Sequence, residues 1–481
     1  MTGRVWLAWG RGFMMRLLTV AVLAASTLTV AYADAALTKV SGPSPFPVAC
    51  SESGPGTLHW NSEVQSHAAV NPRNPGHVVG TFQQDRWSSI ASQGIVTAAS
   101  FDGGRTWRRS VPATSQCSGA GNLKRATDSW VSVAPDGTAY LATLAMTKAF
   151  FEPGSEHAIQ VSRSQDGGLT WGPATVLVRE GGELVFNDLP AVTADPTDSR
   201  HVYTVFTKIE VLSETDFTGS AYLARSVDGG RTWEAPKVIY APGLNSQTIA
   251  NKIVVRADGT LVNAFTRYHL DASGAEREEI AVISSADKGK TWSAPVKVAD
   301  LTNVGTKDPD TGTPIRDGAA LVQAAANGRD LYLAWQDSRF SGGTHDGIVL
   351  SRSRDGGLTW SAPVPVAAQA FSPALAVLSD GTVGVTYYDL RDNTSDPATL
   401  PTRYSLATSH DGVTWREQRV AAFDFAGAPI VDRPERSLYL GDYHGLVASG
   451  GSFVPLFPKA GNDPANRSDV YAGRFQPIAG L

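Results

Sequence analysis

Ser100-Phe-Asp102-Gly-Gly104-Arg-Thr106-Trp107 decides the fold, because the same turn, S-x-D-x-G-x-T-W, recurs along the chain. It returns around Asp166 to Trp171, Asp228 to Trp233, Asp287 to Trp292 and Asp355 to Trp360, and a sixth copy, Ser409-His-Asp411-Gly-Val-Thr-Trp415, is one residue shorter. Successive aspartates stand 64, 62, 59, 68 and 56 residues apart, too far for a simple solenoid and right for one four-stranded propeller blade with its loops. Within the turn, aspartate and the hydroxyl residues can bond the turn's own amides, glycine accepts positive φ, and tryptophan can fill the space between neighbouring sheets. These are structural tasks, so Asp102, Asp166, Asp228, Asp287, Asp355 and Asp411 are read as holding turns rather than as catalysts.

Outward from each turn the sequence alternates or runs on in β-branched and aromatic residues, as in His201 to Thr207, Ser220 to Arg225 and Lys237 to Tyr240, with no competing helical period. Modules of three strands, the turn and a fourth strand begin near Glu63, Asp128, Asp188, Gln247, Asp317, Ser372 and Asp442. The expectation is therefore an all-β propeller of four-stranded antiparallel blades, seven in number, with six as the alternative if one module is divided wrongly. The last module stops after three strands, and the segment between Leu37 and Val48 can supply the fourth, so that strands from both termini close the ring and leave no open edge.

Residues 1–35 read as a secretory signal: Arg4, Arg11 and Arg16 precede the apolar run Leu17 to Val30, and small-residue cleavage sites at Ala31-Tyr32-Ala33 and Ala33-Asp34-Ala35 follow. About 14 apolar residues fall short of the roughly 20 that cross a bilayer, so no membrane insertion is expected once the signal is removed. Residues 36–481 then form a single domain, secreted and acting as a monomer. Cys50 and Cys117 are the only cysteines, and an even count in an exported chain points to one disulfide. A net charge of −5 with 18% charged residues gives no global pull toward nucleic acid. Asp308 and Asp310 read as a polar turn, and with no zinc spacing or phosphate loop no metal or cofactor is expected.

The number and spacing of these turns, known as Asp boxes, resemble the sialidase superfamily of bacterial neuraminidase repeat (BNR) proteins over nearly the whole mature chain. The resemblance implies a β-propeller and a retaining glycoside hydrolase of exo-α-sialidase type, with arginines on the substrate carboxylate, a tyrosine nucleophile and a carboxyl acid/base. The Phe/Tyr-Arg-Ile-Pro signature of family sialidases is absent. The nearest strings, Pro314-Ile-Arg316-Asp317 and Pro401-Thr-Arg403-Tyr404, lie late in the chain.

Topology marks the working side. The turns between strands one and two and between strands three and four are short and share one face. The long connections, such as Pro112 to Ala126, Leu301 to Arg316, Asp392 to Thr402 and Phe423 to Arg436, fall on the other, where repeat proteins place binding surfaces. Every second strand ends toward that face in a base: Arg86, Lys148, Lys208, Arg267, Arg339, Arg391 and Lys459. The planar fork of arginine suits a carboxylate, which selects Arg86, Arg267, Arg339 and Arg391 as a clamp for an anionic glycan. Asp85, Asp337 and Asp389 lie beside three of these bases, so salt bridges between blades are the competing reading. Tyr388 and Tyr443 are the candidate nucleophiles and Asp128 and Asp188 the candidate acid/base, with Glu63, Asp317 and Asp442 as further acids on the same face. Two other readings stand beside the hydrolase: a non-catalytic glycan-binding propeller, and a uronate lyase with His67 or His444 as base.

Overall fold

A computed structural model describes residues 37–48, 50, 56–148, 152–271, 273–432 and 435–478. The leader expected over residues 1–35 lies outside them. Antiparallel strands dominate, and the only helical pieces among the described residues are three single 3-10 turns. Each module opens on a first strand: β1 (Leu58–Asn71), β2 (Arg125–Val133), β3 (Val185–Ala194), β4 (Ser246–Val255), β5 (Gln323–Asn327), β6 (Ala370–Val377) and β7 (Gly445–Ser449). Each continues as a hairpin meander, so that β2, for example, pairs with Ala139–Met146, that strand with Glu156–Ser164, and that one with Thr175–Gly181. The first two meanders are joined by the bridge Ser92↔Ala126, and the third and fourth by a short parallel contact at Thr218↔Ser246. Neighbouring first strands pack side by side in an unbroken cycle, β1 on β2, β2 on β3, and so on to β7, which returns to β1.

The last meander contains Gly445–Ser449, Ser452–Asp463 and Asn466–Ala472, and its outer strand is Thr38–Lys39, which pairs antiparallel through Thr38↔Ala472 and Lys39↔Tyr471. The N-terminal segment thus occupies the position that the three-strand C-terminal module leaves open. Cys50 and Cys117 form a disulfide with their Cα atoms 5.6 Å apart, tying this segment to the loop after the first meander.

The repeated turn does what its composition dictates. In the third copy Asp228 Oδ1 accepts the amides of Arg231 and Thr232 and the Ser226 hydroxyl, at 3.0, 2.9 and 2.8 Å, while Oδ2 accepts the Thr232 hydroxyl at 2.6 Å. The shortened copy keeps the pattern with the bonds from the two amides and the threonine hydroxyl moved in by one residue, so that Asp411 accepts the amides of Val413 and Thr414. Each tryptophan fills the seam against the preceding meander. Trp171 joins the cluster of Val79, Ile95 and Leu141 and donates its indole N–H to Thr97 Oγ1 at 2.8 Å. The first and last meanders are sealed in the same way by Phe82, Val96, Val447, Val454, Leu456 and Trp107.

Two long connections do not stay loose. Thr306–Lys307, Pro314–Arg316, Ser437–Tyr439 and Ile430–Val431 form a separate small sheet whose central pairing is parallel, Ile315↔Leu438 and Arg316↔Tyr439. Asp317 and Asp442 therefore sit in the connecting segments just ahead of β5 and β7, not in those strands.

Candidate functional site

The first strands are bent at equivalent places. A register shift interrupts β1 between Val64 and His67, β2 between Thr127 and Trp130, β3 between Asp188 and Ala191, β4 between Ile249 and Lys252, and β6 between Phe371 and Ala374. Within each shift one residue adopts positive φ: Gln65 (53°), Asp128 (50°), Leu189 (47°), Ala250 (56°) and Ser372 (49°). Such bulges re-aim side chains, and here they supply part of a cleft of about 560 Å³ whose wall includes Gln65, Asp128, Asp188 and Ile249. The small sheet completes it with Arg316 and Tyr439, followed by Asp442, and the end of the first module's second strand adds Arg86.

Two glycines permit this closure. A Cβ on Gly441, at φ 131°, would lie 2.5 Å from the Gln65 Cα, and one on Gly318 would lie 2.2 Å from the Asp442 carbonyl oxygen. Only glycine lets the two connections press so closely on the strand ends and on each other.

A chain of polar contacts runs through the cleft. Arg316 grips Asp442 with two parallel bonds, Nε to Oδ1 at 2.7 Å and Nη2 to Oδ2 at 2.8 Å. The Tyr439 hydroxyl donates to Gln65 Oε1 and lies 3.4 Å from Asp442 Oδ2. Gln65 in turn donates to Asp128 Oδ1 at 2.7 Å and receives a bond from Gln83 Nε2 at 2.6 Å. Arg86 is 4% exposed, stands 4.8 Å over the Tyr439 ring and donates from Nη1 to Gln83 Oε1, while its Nε has no hydrogen-bond partner among the described residues. No carboxylate comes within ion-pair distance of Arg86 among the described residues.

These surroundings drive the carboxyls apart. Burial pushes Asp188 up, the charges of Asp128 and Asp442 add to it, and its pKa rises to about 8. Burial and the Asp442 charge also raise Asp128, against the bonds from Gln65 and Thr127. Burial opposes ionisation of Asp442 as well, but the Arg316 guanidinium outweighs it and holds this carboxyl below the usual range. Near neutral pH the cleft therefore holds a protonated Asp188 and an ionised Asp442, the division of labour that acid–base chemistry needs. Burial, reinforced by the Asp442 charge, keeps the Tyr439 phenol protonated in the resting site.

Of the candidate site residues singled out in the sequence, Arg86, Asp128, Asp188, Asp317 and Asp442 come together here, and the other bases of the second strands and both tyrosines do not. Arg267 pairs with Glu279 at 3.0 Å, and Arg339 with Asp337 at 2.7 Å. Arg391 is held by Asp389 at 2.7 Å and by both oxygens of Glu417 at 2.8 Å. The expected four-arginine clamp is thus replaced by one arginine and three local ion pairs. Asp85, expected beside Arg86, is taken instead by Ser44, the Asn61 amide and Gln93. Lys148 caps the Pro153 carbonyl, Lys208 pairs with Glu180, and Lys459 lies over the Tyr471 ring.

Neither candidate tyrosine reaches the cleft. Tyr388 packs in the core against Phe371, Tyr404 and Phe425 and donates to the Pro458 carbonyl at 2.8 Å, and Tyr443, buried edge-on against Trp130, donates to the Ser129 carbonyl at 3.1 Å. His67 and His444 line a different cavity. No local motif marks Gln65 or Tyr439 in the sequence, and Arg316 stands out there only within Pro314-Ile-Arg316-Asp317. Asp308 and Asp310 form the anticipated polar turn, with Asp308 accepting the Asp310 amide and the Thr311 hydroxyl.

A model of the BNR repeat-like domain matches residues 220–424. A sialidase of Bacteroides fragilis is 23% identical over 201 residues, 37% of this chain and 36% of that protein, so the match spans about a third of the relative's length. Among solved structures, a Hadza microbial sialidase aligns over 82% of this chain and 76% of its own at 17% identity and a TM-score of 0.45. An α-L-arabinofuranosidase from Fusarium graminearum aligns over 92% and 98% at 11% identity and a TM-score of 0.46. The resemblance is to the sialidase-like, BNR-repeat superfamily of glycoside hydrolases.

Proposed function

We propose that this chain is a seven-bladed, sialidase-like propeller, exported as a monomer after loss of residues 1–35, that hydrolyses an acidic glycan in the cleft around Tyr439. The closed succession of first strands from β1 to β7 and back supports the blade count. Export rests on the arginine-led apolar run at the N-terminus and on the cysteine pair.

One observation carries the choice of substrate: Arg86 is buried at the cleft wall as a cation with no carboxylate partner among the described residues. An unpaired buried guanidinium is costly until an anion of fitting shape arrives, and a sugar carboxylate matches its fork. Asp188, protonated near neutrality, gives its proton to the leaving oxygen. The Tyr439 oxygen attacks the anomeric carbon, and its proton passes to Asp442, whose Oδ2 is 3.4 Å away. Water then attacks the anomeric carbon and gives its proton to Asp188, the bond to the Tyr439 oxygen breaks and Asp442 returns its proton to that oxygen, so the configuration is retained.

The test is product release from sialylated, uronate-containing and arabinofuranosyl oligosaccharides by wild type, Arg86→Lys and Tyr439→Phe. Release from a carboxylate-bearing glycan is expected. Arg86→Lys should lower kcat/KM by about 10- to 100-fold, the range set by a charged hydrogen bond, and Tyr439→Phe should abolish turnover. Release from neutral arabinofuranosides alone would remove the acidic substrate from the proposal. An unsaturated uronate would make the protein a lyase, and glycan binding without product would make it a recognition module.

A further inference from the structure

A second cavity, of about 80 Å³, lies where the first strands converge, and every strand from β1 to β7 contributes to its wall. Lys252 on β4 is buried there, 7% exposed. Its Nζ donates to the Val322 carbonyl at 3.0 Å and stands 4.9 Å from the Trp130 ring centroid, and no carboxylate lies within ion-pair distance among the described residues. The remaining wall offers donors. His67 stacks on Trp130 with ring centroids 3.5 Å apart and accepts the Val131 amide at Nδ1, which leaves its proton on Nε2. His444 meets the Thr386 hydroxyl through Nε2 at 3.0 Å, and its buried Nδ1 has no partner among the described residues. Gln323 and Thr193 add polar groups, and no acidic side chain lines the cavity among the described residues.

We propose that this central cavity binds a halide-sized monovalent anion, held by the Lys252 ammonium with His67 and His444 as further donors. A buried ammonium that has one carbonyl and one ring face is still short of a counter-charge, and an acceptor-only ion satisfies it without needing an acceptor in return. The absence of carboxylates from the wall disfavours a cation. The volume admits a halide and excludes a sugar. This site is independent of the hydrolytic reading, since none of Lys252, His67 and His444 lines the Arg86 cleft.

The experiment uses the full chain at pH 6, with bromide as the probe against gluconate at equal ionic strength, for wild type and Lys252→Met. Wild type should show a saturable rise in Tm of about 2 °C in bromide, and Lys252→Met should show none. Crystals grown in bromide should give an anomalous bromine peak beside Lys252 Nζ. An equal rise in both proteins, or a water molecule in place of the peak, would overturn the proposal. Should Lys252→Met fail to fold, the presence or absence of the bromine peak in wild type decides alone.

Discussion

Replacing Asp188 by asparagine removes a proton-binding group at nearly constant shape, and the consequences divide between stability and rate. With a folded pKa of about 8 against an ordinary value of 3.8, the native state holds a proton that the unfolded chain has already released. Between those values the native state binds more protons than the unfolded one, so stability falls as pH rises through the window and levels off above pH 8. At about 1.4 kcal/mol per unit the full gap corresponds to roughly 6 kcal/mol, and sharing with Asp128 and Asp442 together with the solvent-facing edge of Asp188 trims this to about 2–3 kcal/mol. Urea unfolding of wild type at pH 5 and pH 8.5 should register that loss, and Asp188→Asn should show little of it. In kinetics, the alkaline limb of kcat/KM should fall near pH 8 in wild type, and Asp188→Asn should lose about 10²- to 10⁴-fold, the range for a missing general acid. A variant that keeps the wild-type pH slope in urea, or wild-type turnover, would refute the assignment.

Gly441→Ala places a Cβ 2.5 Å from the Gln65 Cα; it should cost about 2–4 kcal/mol in urea and displace Tyr439 enough to lower kcat. Asp228→Ala should cost about 1–2 kcal/mol while kcat/KM stays unchanged, because its bonds are confined to its own turn. Bonds from Thr232 hold Asp228 at about 2, so its contribution is complete above the ordinary value of 3.8 and fades as pH falls toward 2; acid titration by circular dichroism should show that limb flattened in the variant. Ala250→Gly relieves a left-handed alanine at φ 56° and should raise Tm with a gain of about 1 kcal/mol and no change in activity.

The repeat was legible because each copy carries its whole structural reason within eight residues: a carboxylate, two hydroxyls, glycine and a tryptophan. The cleft was legible only where its residues belong to the repeat. Asp128 and Asp188 come from equivalent strands and Arg86 from the end of a second strand, so comparing modules could find them. Arg316 and Tyr439 come from two connections that pair in parallel at Ile315↔Leu438, more than 120 residues apart in sequence, and no local period marks such a pairing. Tyr388 was favoured for its neighbour Asp389, yet adjacent residues of a strand face opposite sides, and its side points into the seam between sheets.

The arginines separate by a rule that local chemistry could have supplied. Arg339 and Arg391 each have an acid two residues earlier and Arg267 has Glu279 directly across the hairpin, so each is neutralised within its own meander. Asp85 could have done the same for Arg86, but the N-terminal segment engages it through Ser44, and the left-handed backbone at Asp85, φ 62°, occurs at this same strand end. The terminal segment that completes the last meander thus also engages the carboxylate next to Arg86, whereas Arg316, the cleft's other arginine, keeps Asp442. Strands β4 and β6 repeat the bulge with Ala250 and Ser372 in place of chemically committed side chains, which shows the bend to be architectural. Function enters where Gln65, Asp128 and Asp188 occupy that bend, and where two connections long enough to reach the axis carry Arg316, Tyr439 and Asp442 over it.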